Sequence, residues 1–258
     1  MSLRVSCIAV LLALACTATA AAHRPAPGPV TLQLLDRDGG GLLPTVAHRG
    51  QQWTAGTPGQ RYAVRLTNHS PGRVLVVLSV DGVNAITGET ASPAQTGYVL
   101  GPGQSSDITG WRKSQRDVAA FHFTDLGDSY AARTGRPDDV GVIGIAVFHE
   151  RRPRPLPRPL PPPIARSAGA SAASARNATA EQAAPQSVGT GHGAREHAPV
   201  GTTSFIRATS QPAMVTTLRY DSRRNLLARG IRLPTRASAW SAPRKPRAFP
   251  GGFVPDPE

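Results

Sequence analysis

The sequence predicts an all-β fold: a single β-sandwich, immunoglobulin-like or jelly-roll-like, or a small barrel, followed by a long proline-, alanine- and arginine-rich C-terminal tail. Three observations carry this. Between residues 31 and 150 the apolar residues either alternate with period two or run almost unbroken, and no stretch long enough for a regular helix keeps a helical period. Glycine- and proline-containing turns separate these segments at roughly regular spacing, giving seven to nine short strands. At Arg151 the composition changes abruptly to RRPRPLPRPLPPP, which no sheet can use.

In chain order, residues 1–22 read as a secretory leader. Arg4 supplies the positive end, residues 7–15 (CIAVLLALA) are uniformly apolar, and residues 17–22 are small. The apolar run is too short to cross a bilayer as a helix, and Ala20 or Ala22 would precede the cut. Cys7 and Cys16 are the only cysteines, and both lie in this leader. Its removal would leave a chain with no disulfide, thiolate nucleophile or cysteine-bound metal. Leu14-Ala15-Cys16 loosely resembles a lipoprotein cleavage site, with the leucine one position too near; lipidation there would anchor the chain. The expectation is an exported protein, periplasmic or secreted, with a lipid anchor on Cys16 as the lesser alternative.

Residues 23–150 form the expected β-sandwich domain. In residues 61–67, Tyr62, Val64 and Leu66 face one way and Arg61, Arg65 and Thr67 the other, as in a strand with one wet face. Residues 74–80 (VLVVLSV) suit a strand buried on both faces, and Asp81-Gly82 follows as a turn. Residues 98–100, 101–103 and 107–111 read as strand, turn and strand. Residues 119–124 place Phe121 and Phe123 on one face, and 140–148 (VGVIGIAVF) form a central strand. Residues 129–133 are the best short helix, with Asp128 as its N-cap.

Residues 151–163 must be polyproline II, a spacer of roughly 40 Å at ~3.1 Å per residue. An Ala/Ser/Gly-rich stretch follows, and 151–200 are expected to be a disordered basic linker. Structure resumes briefly over 201–232: strands at 202–208 and 214–220, and a short helix over 225–230 stopped by Gly230. This piece is too small to fold alone. Either it docks on an open edge of the sandwich or it is disordered with the rest. Residues 233–258 read as further tail.

The net charge of +13 is unevenly placed: residues 23–150 carry 11 basic and 11 acidic side chains, whereas 151–258 carry 17 basic and 5 acidic. Such asymmetry marks an interaction tail. It suits anionic lipid, an acidic glycan or an acidic protein; export and the scarcity of tail aromatics argue against nucleic acid. Oligomeric state is not indicated.

No motif for catalysis, a cofactor or a metal stands out. The seven histidines are scattered, and His192 and His197 lack further ligands nearby. Residues 189–193 (GTGHG) lack the strand-and-helix context of a phosphate loop. Asp125, Asp128, Asp138 and Asp139 cluster, with Arg133 and Arg136 among them, and read as caps and ion-pair partners rather than a calcium loop. Trp111-Arg112-Lys113 places an aromatic beside two cations at a strand end, suited to a sugar or an anion, although a core tryptophan at a sheet edge with solvated neighbours explains it better. The binding candidates are Tyr98, Trp111, Arg112, Lys113, Tyr130 and Arg133.

Residues 97–102 (GYVLGP), 108–114 (ITGWRKS) and 119–144, containing FTDLGDSYAARTGRP, resemble a family of bacterial exported proteins of unassigned function. Residues 189–193 and 220–228 are similar to that family's C-terminal piece. The resemblance implies no activity or catalytic residue; it implies that the C-terminal piece travels with the domain. The functional expectation is a non-enzymatic envelope module with a cationic tail. The alternative is an extracytoplasmic glycan hydrolase with a loop site near residues 125–139, which would need two converging carboxylates.

Overall fold

A computed structural model describes residues 28–152 and 188–234; the expected leader, residues 153–187 of the linker and residues 235–258 lie outside the described residues. Among the described residues there are thirteen strands, and no sheet closes into a barrel. No helix in this part is long and apolar enough to cross a membrane.

The largest sheet has seven strands. Its order is β2 (Thr45–His48), β3 (Gln51–Ala55), β13 (Met214–Asp221), β11 (Val142–His149), β5 (Val74–Val80) and β6 (Val83–Asn84), with β7 (Tyr98–Leu100) also paired to β5. A second sheet orders β1 (Val30–Asp36), β4 (Tyr62–Asn68) and β8 (Ser105–Ile108). A third orders β12 (Val188–His197), β10 (Asp117–Asp125) and β9 (Gly110–Arg112). The two small sheets join where Arg61 bridges His122 and Phe123 N–H donates to the Gln60 carbonyl at 3.0 Å.

All three sheets share one core. Val74, Val76, Leu78 and Val80 of β5 point into it with Ile143, Ile145 and Val147 of β11, and meet Tyr62, Val64 and Leu66 of β4 and Phe121 and Phe123 of β10. The other face of β5 and β11 is covered as well: Leu75, Val77, Ala146 and Phe148 form a second cluster under Phe205. Both faces of residues 74–80 are therefore apolar because both are buried. The Asp81-Gly82 turn joins β5 to β6 with φ values of 51° and 72°, the two positive angles a tight two-residue hairpin requires.

Several expectations are corrected. Residues 107–111 are not one strand: β8 pairs with β4 and β9 with β10, because the chain passes from one small sheet to the other at Thr109. The helix Tyr130–Arg133 (α1) is capped by Ser129, whose side chain accepts from Ala132 N–H, and not by Asp128. Residues 202–208 form no strand; they lie across the β5/β11 face, with only a bridge between Glu150 and Arg207. Arg207 holds them there, its guanidinium 4.0 Å above the Phe148 ring and donating to the Pro93 and Gln95 carbonyls.

The largest correction concerns the linker. Residues 188–197 are β12, antiparallel to β10 along nearly its whole length. Its glycines look flexible in sequence, but they are small because neighbours leave no room: a Cβ on Gly191 would stand 2.3 Å from the His122 ring, and one on Gly189 would stand 2.5 Å from the Ser129 Cβ. β13 is not an edge strand either. It lies inside the large sheet, antiparallel to β11 and parallel to β3. Ile231, at the end of the expected 201–232 piece, and Leu233, the first residue of the expected tail, bury against Trp53.

A buried polar chain ties these C-terminal strands to the rest. The fully buried Asp81 carboxylate accepts from Gly141 N–H (2.9 Å), from Thr190 N–H of β12 (2.8 Å) and from the Tyr220 hydroxyl of β13 (2.7 Å). The Thr190 hydroxyl lies 2.7 Å from both the Tyr220 and the Tyr62 hydroxyls. Burial pushes the Asp81 carboxyl up to about 6, against the opposing pull of the Tyr220, Thr190, Gly141 and Val142 bonds. Burial also drives both tyrosines well above their usual value.

Candidate functional site

The six binding candidates do not meet at one place. Tyr98, Arg112 and Lys113 line a groove of about 790 Å³, whereas Tyr130 and Arg133 line a separate cleft of about 510 Å³. Trp111 belongs to neither: it is 3% exposed and its ring meets Phe121 edge-on at 4.8 Å, with Tyr130 at 5.0 Å. Alternation explains this, since in β9 Trp111 faces the core and Arg112 the other side.

The groove is built from both parts of the chain. β7 brings Tyr98 along one wall and β9 ends in Arg112 and Lys113. Residues 199–203, which follow β12, form the opposite wall. That wall is fixed by Ala198 N–H donating to the Arg116 carbonyl (2.7 Å) and Val200 N–H to that of Gln115 (2.9 Å). Arg112 is anchored through its backbone N–H to the Ala85 carbonyl at 2.8 Å, and its Nη1 donates to the Ala198 carbonyl.

The Arg112 Nε and the Tyr98 hydroxyl are both buried without a hydrogen-bond partner. Burial pushes the Tyr98 phenol up, and the Arg112 guanidinium beside it opposes this through hydrogen bonding and charge, although neither the Arg112 Nε nor the phenol makes a hydrogen bond of good geometry among the described residues. A buried donor in that condition costs about 1–3 kcal/mol. Among the described residues no carboxylate lines the groove, and the walls carry hydroxyls and amides such as Thr87, Gln104, Ser106 and Thr202. The site is cationic, polar and without an internal counter-charge.

The cleft contains Tyr130, Arg133, His122, His192 and Asp128. Desolvation, then Lys113, holds His192 below its usual value. Of the four aspartates in the 125–139 segment only Asp128 lines this cleft, as the one carboxylate there among the described residues. The expected ion pairs of these aspartates with Arg133 and Arg136 are not formed among the described residues; Arg136 reaches the Thr90 and Thr134 hydroxyls instead. Among the described residues no three His, Cys, Asp or Glu side chains cluster to hold a metal.

A third feature is a basic face. Helix α2 (Arg223–Ala228) is capped by Ser222, which accepts from Asn225 N–H at 3.2 Å, and it buries Leu226 against Trp53. Burying Leu226 turns Arg223, Arg224 and Leu227 outward, the last 48% exposed, and Arg232 is exposed just beyond. Arg219 and Arg229 flank the Trp53 ring at 5.9 and 5.4 Å. Residues 188–234 carry seven arginines against two acidic side chains, so a large part of the C-terminal charge sits on the folded domain.

Compared with protein-family models, curated proteins and solved structures, the chain matches none. Sequence reasoning missed residues 199–203, Gln104 and the Asp81–Thr190–Tyr220 chain. The first depend on β12 being a strand. The last had one available signal, an aspartate in a tight turn after a nearly all apolar run.

Proposed function

We propose that the protein is an exported cell-envelope protein and a non-enzymatic binding module, built as a two-layer β-sandwich of immunoglobulin-like or jelly-roll-like kind, whose basic C-terminal region holds anionic envelope surfaces. The observation that carries this is the face of Arg223, Arg224 and Arg232 around the exposed Leu227. Anionic head groups attract each such cation by about 1 kcal/mol near the surface, and a single protruding leucine suits the head-group boundary. Residues 235–258 add Arg236, Arg244, Lys245 and Arg247 directly after this face. The leader-like residues 1–22 and the resemblance to exported proteins support the compartment.

The test is co-sedimentation of the full chain with vesicles. Retention on vesicles rich in anionic lipid, none on neutral vesicles, and release as salt approaches about 1 M are expected. Retention that is unchanged at high salt, or equal on neutral vesicles, would overturn the reading.

A further inference from the structure

The groove beside Tyr98 is chemically distinct from the arginine face. It carries two cations and, among the described residues, no carboxylate, and its walls offer hydroxyls and amides from several segments. Two polar groups at its edge, the Arg112 Nε and the Tyr98 hydroxyl, are left without partners although both are buried. The guanidinium and the phenol lie against each other beneath the lining of the groove, a buried polar pair that makes no well-formed hydrogen bond and so keeps donor capacity to spare. The acceptor that a guanidinium prefers is planar and anionic. The remaining wall chemistry, neutral donors and acceptors spread over a volume of about 790 Å³, matches the hydroxyls and acetamides of a short saccharide.

We propose that this groove binds a carboxylate-bearing saccharide. The Arg112 Nε meets the sugar carboxylate while its Nη1 keeps the Ala198 carbonyl and with it the 199–203 wall. The Tyr98 hydroxyl donates to the same carboxylate or to the ring oxygen beside it. Lys113, exposed at the mouth, supplies longer-range attraction, and residues 199–203 close the far side. The two atoms lie just beneath the groove lining, so binding proceeds with a side-chain movement at Arg112 rather than onto a preformed surface. The site exists only when β12 is docked, because one wall follows that strand.

Titration calorimetry on the full chain tests this, with a tetrasaccharide of alternating glucuronate and N-acetylglucosamine as the probe. The control is the same tetrasaccharide with its carboxylates reduced to alcohols. Saturable binding of the acid form is expected, with the reduced form at least about tenfold weaker. Tyr98→Phe, which removes a hydroxyl with no well-formed hydrogen bond among the described residues, should weaken binding about fivefold with little loss of stability. Lys113→Gln should weaken it severalfold and reduce its salt dependence. Arg112→Met should abolish it, but also frees the 199–203 wall, so the first two variants decide. No binding of the acid form, equal binding of both forms, or affinity unchanged in both Tyr98→Phe and Lys113→Gln would overturn the proposal. Failure here is distinguishable from failure of the envelope reading. Arg223→Gln, Arg224→Gln and Arg232→Gln combined should lose anionic vesicles and keep the tetrasaccharide.

Discussion

Replacing Asp81 with alanine should destabilise the fold, and by more in acid than at neutral pH. The carboxylate is the common acceptor for Gly141 N–H, Thr190 N–H and the Tyr220 hydroxyl, at 2.7–2.9 Å. Removing it orphans three buried donors at about 1–3 kcal/mol each, about 6 kcal/mol together. Against this, the variant no longer buries a charge. The folded carboxyl titrates at about 6 against an ordinary 3.8, a difference worth about 3 kcal/mol. The folded value is the higher one, so this contribution to stability is fully present below pH 3.8 and lost as the pH rises through about 6. The net cost of Asp81→Ala is therefore about 3 kcal/mol at pH 7 and about 5 kcal/mol at pH 4.5. Urea unfolding of wild type and variant at both pH values measures it, and the difference between the two proteins cancels the other titrating groups. A cost below about 1 kcal/mol at both pH values, or one larger at pH 7 than at pH 4.5, would refute the reasoning.

Other substitutions test neighbouring parts of the account. Gly191→Ala should destabilise by about 1–3 kcal/mol, because its Cβ would meet the His122 ring at 2.3 Å, whereas Gly201→Ala, with nothing within 4 Å, should be neutral in the same urea series. Arg207→Ala removes the cation over Phe148 and the bonds to Pro93 and Gln95. Faster hydrogen exchange over residues 202–208 and a loss of about 1–2 kcal/mol are expected. Tyr98→Phe should leave the melting temperature unchanged or raised, since its buried hydroxyl makes no well-formed hydrogen bond among the described residues. A clear fall would show that the hydroxyl is paired within the protein.

What could be read from the sequence was whatever local pattern and burial agreed upon. Residues 74–80 are apolar on both faces and are covered on both; Tyr62, Val64 and Leu66 alternate and all enter the core. Asp81-Gly82 forms the turn it suggested. β12 was illegible because residues 189–193 have little intrinsic strand preference: their glycines answer to close approach by His122, Ser129 and Ala120, a tertiary fact. The interior place of β13 was hidden for a similar reason, since its parallel partner β3 lies more than a hundred residues earlier in the chain. Trp111 and Arg112, adjacent in sequence, went to opposite sides of one strand, which divided a candidate set that proximity along the chain had grouped. The groove needed residues 199–203, and these follow from β12.

The central claim is that the basic region beyond residue 151 is in part structural: residues 188–234 complete the core and carry the arginine face. Thermal unfolding of a chain ended after Arg152 tests it most directly. Without β12 and β13, the core loses Val188, Leu218 and Tyr220, both edges they cover are opened, and Asp81 keeps only its bonds to Gly141 and Val142. The account predicts no cooperative transition and strong binding of a hydrophobic dye. A cooperative transition within a few degrees of the full chain would contradict it and return residues 188–234 to the status of a tail.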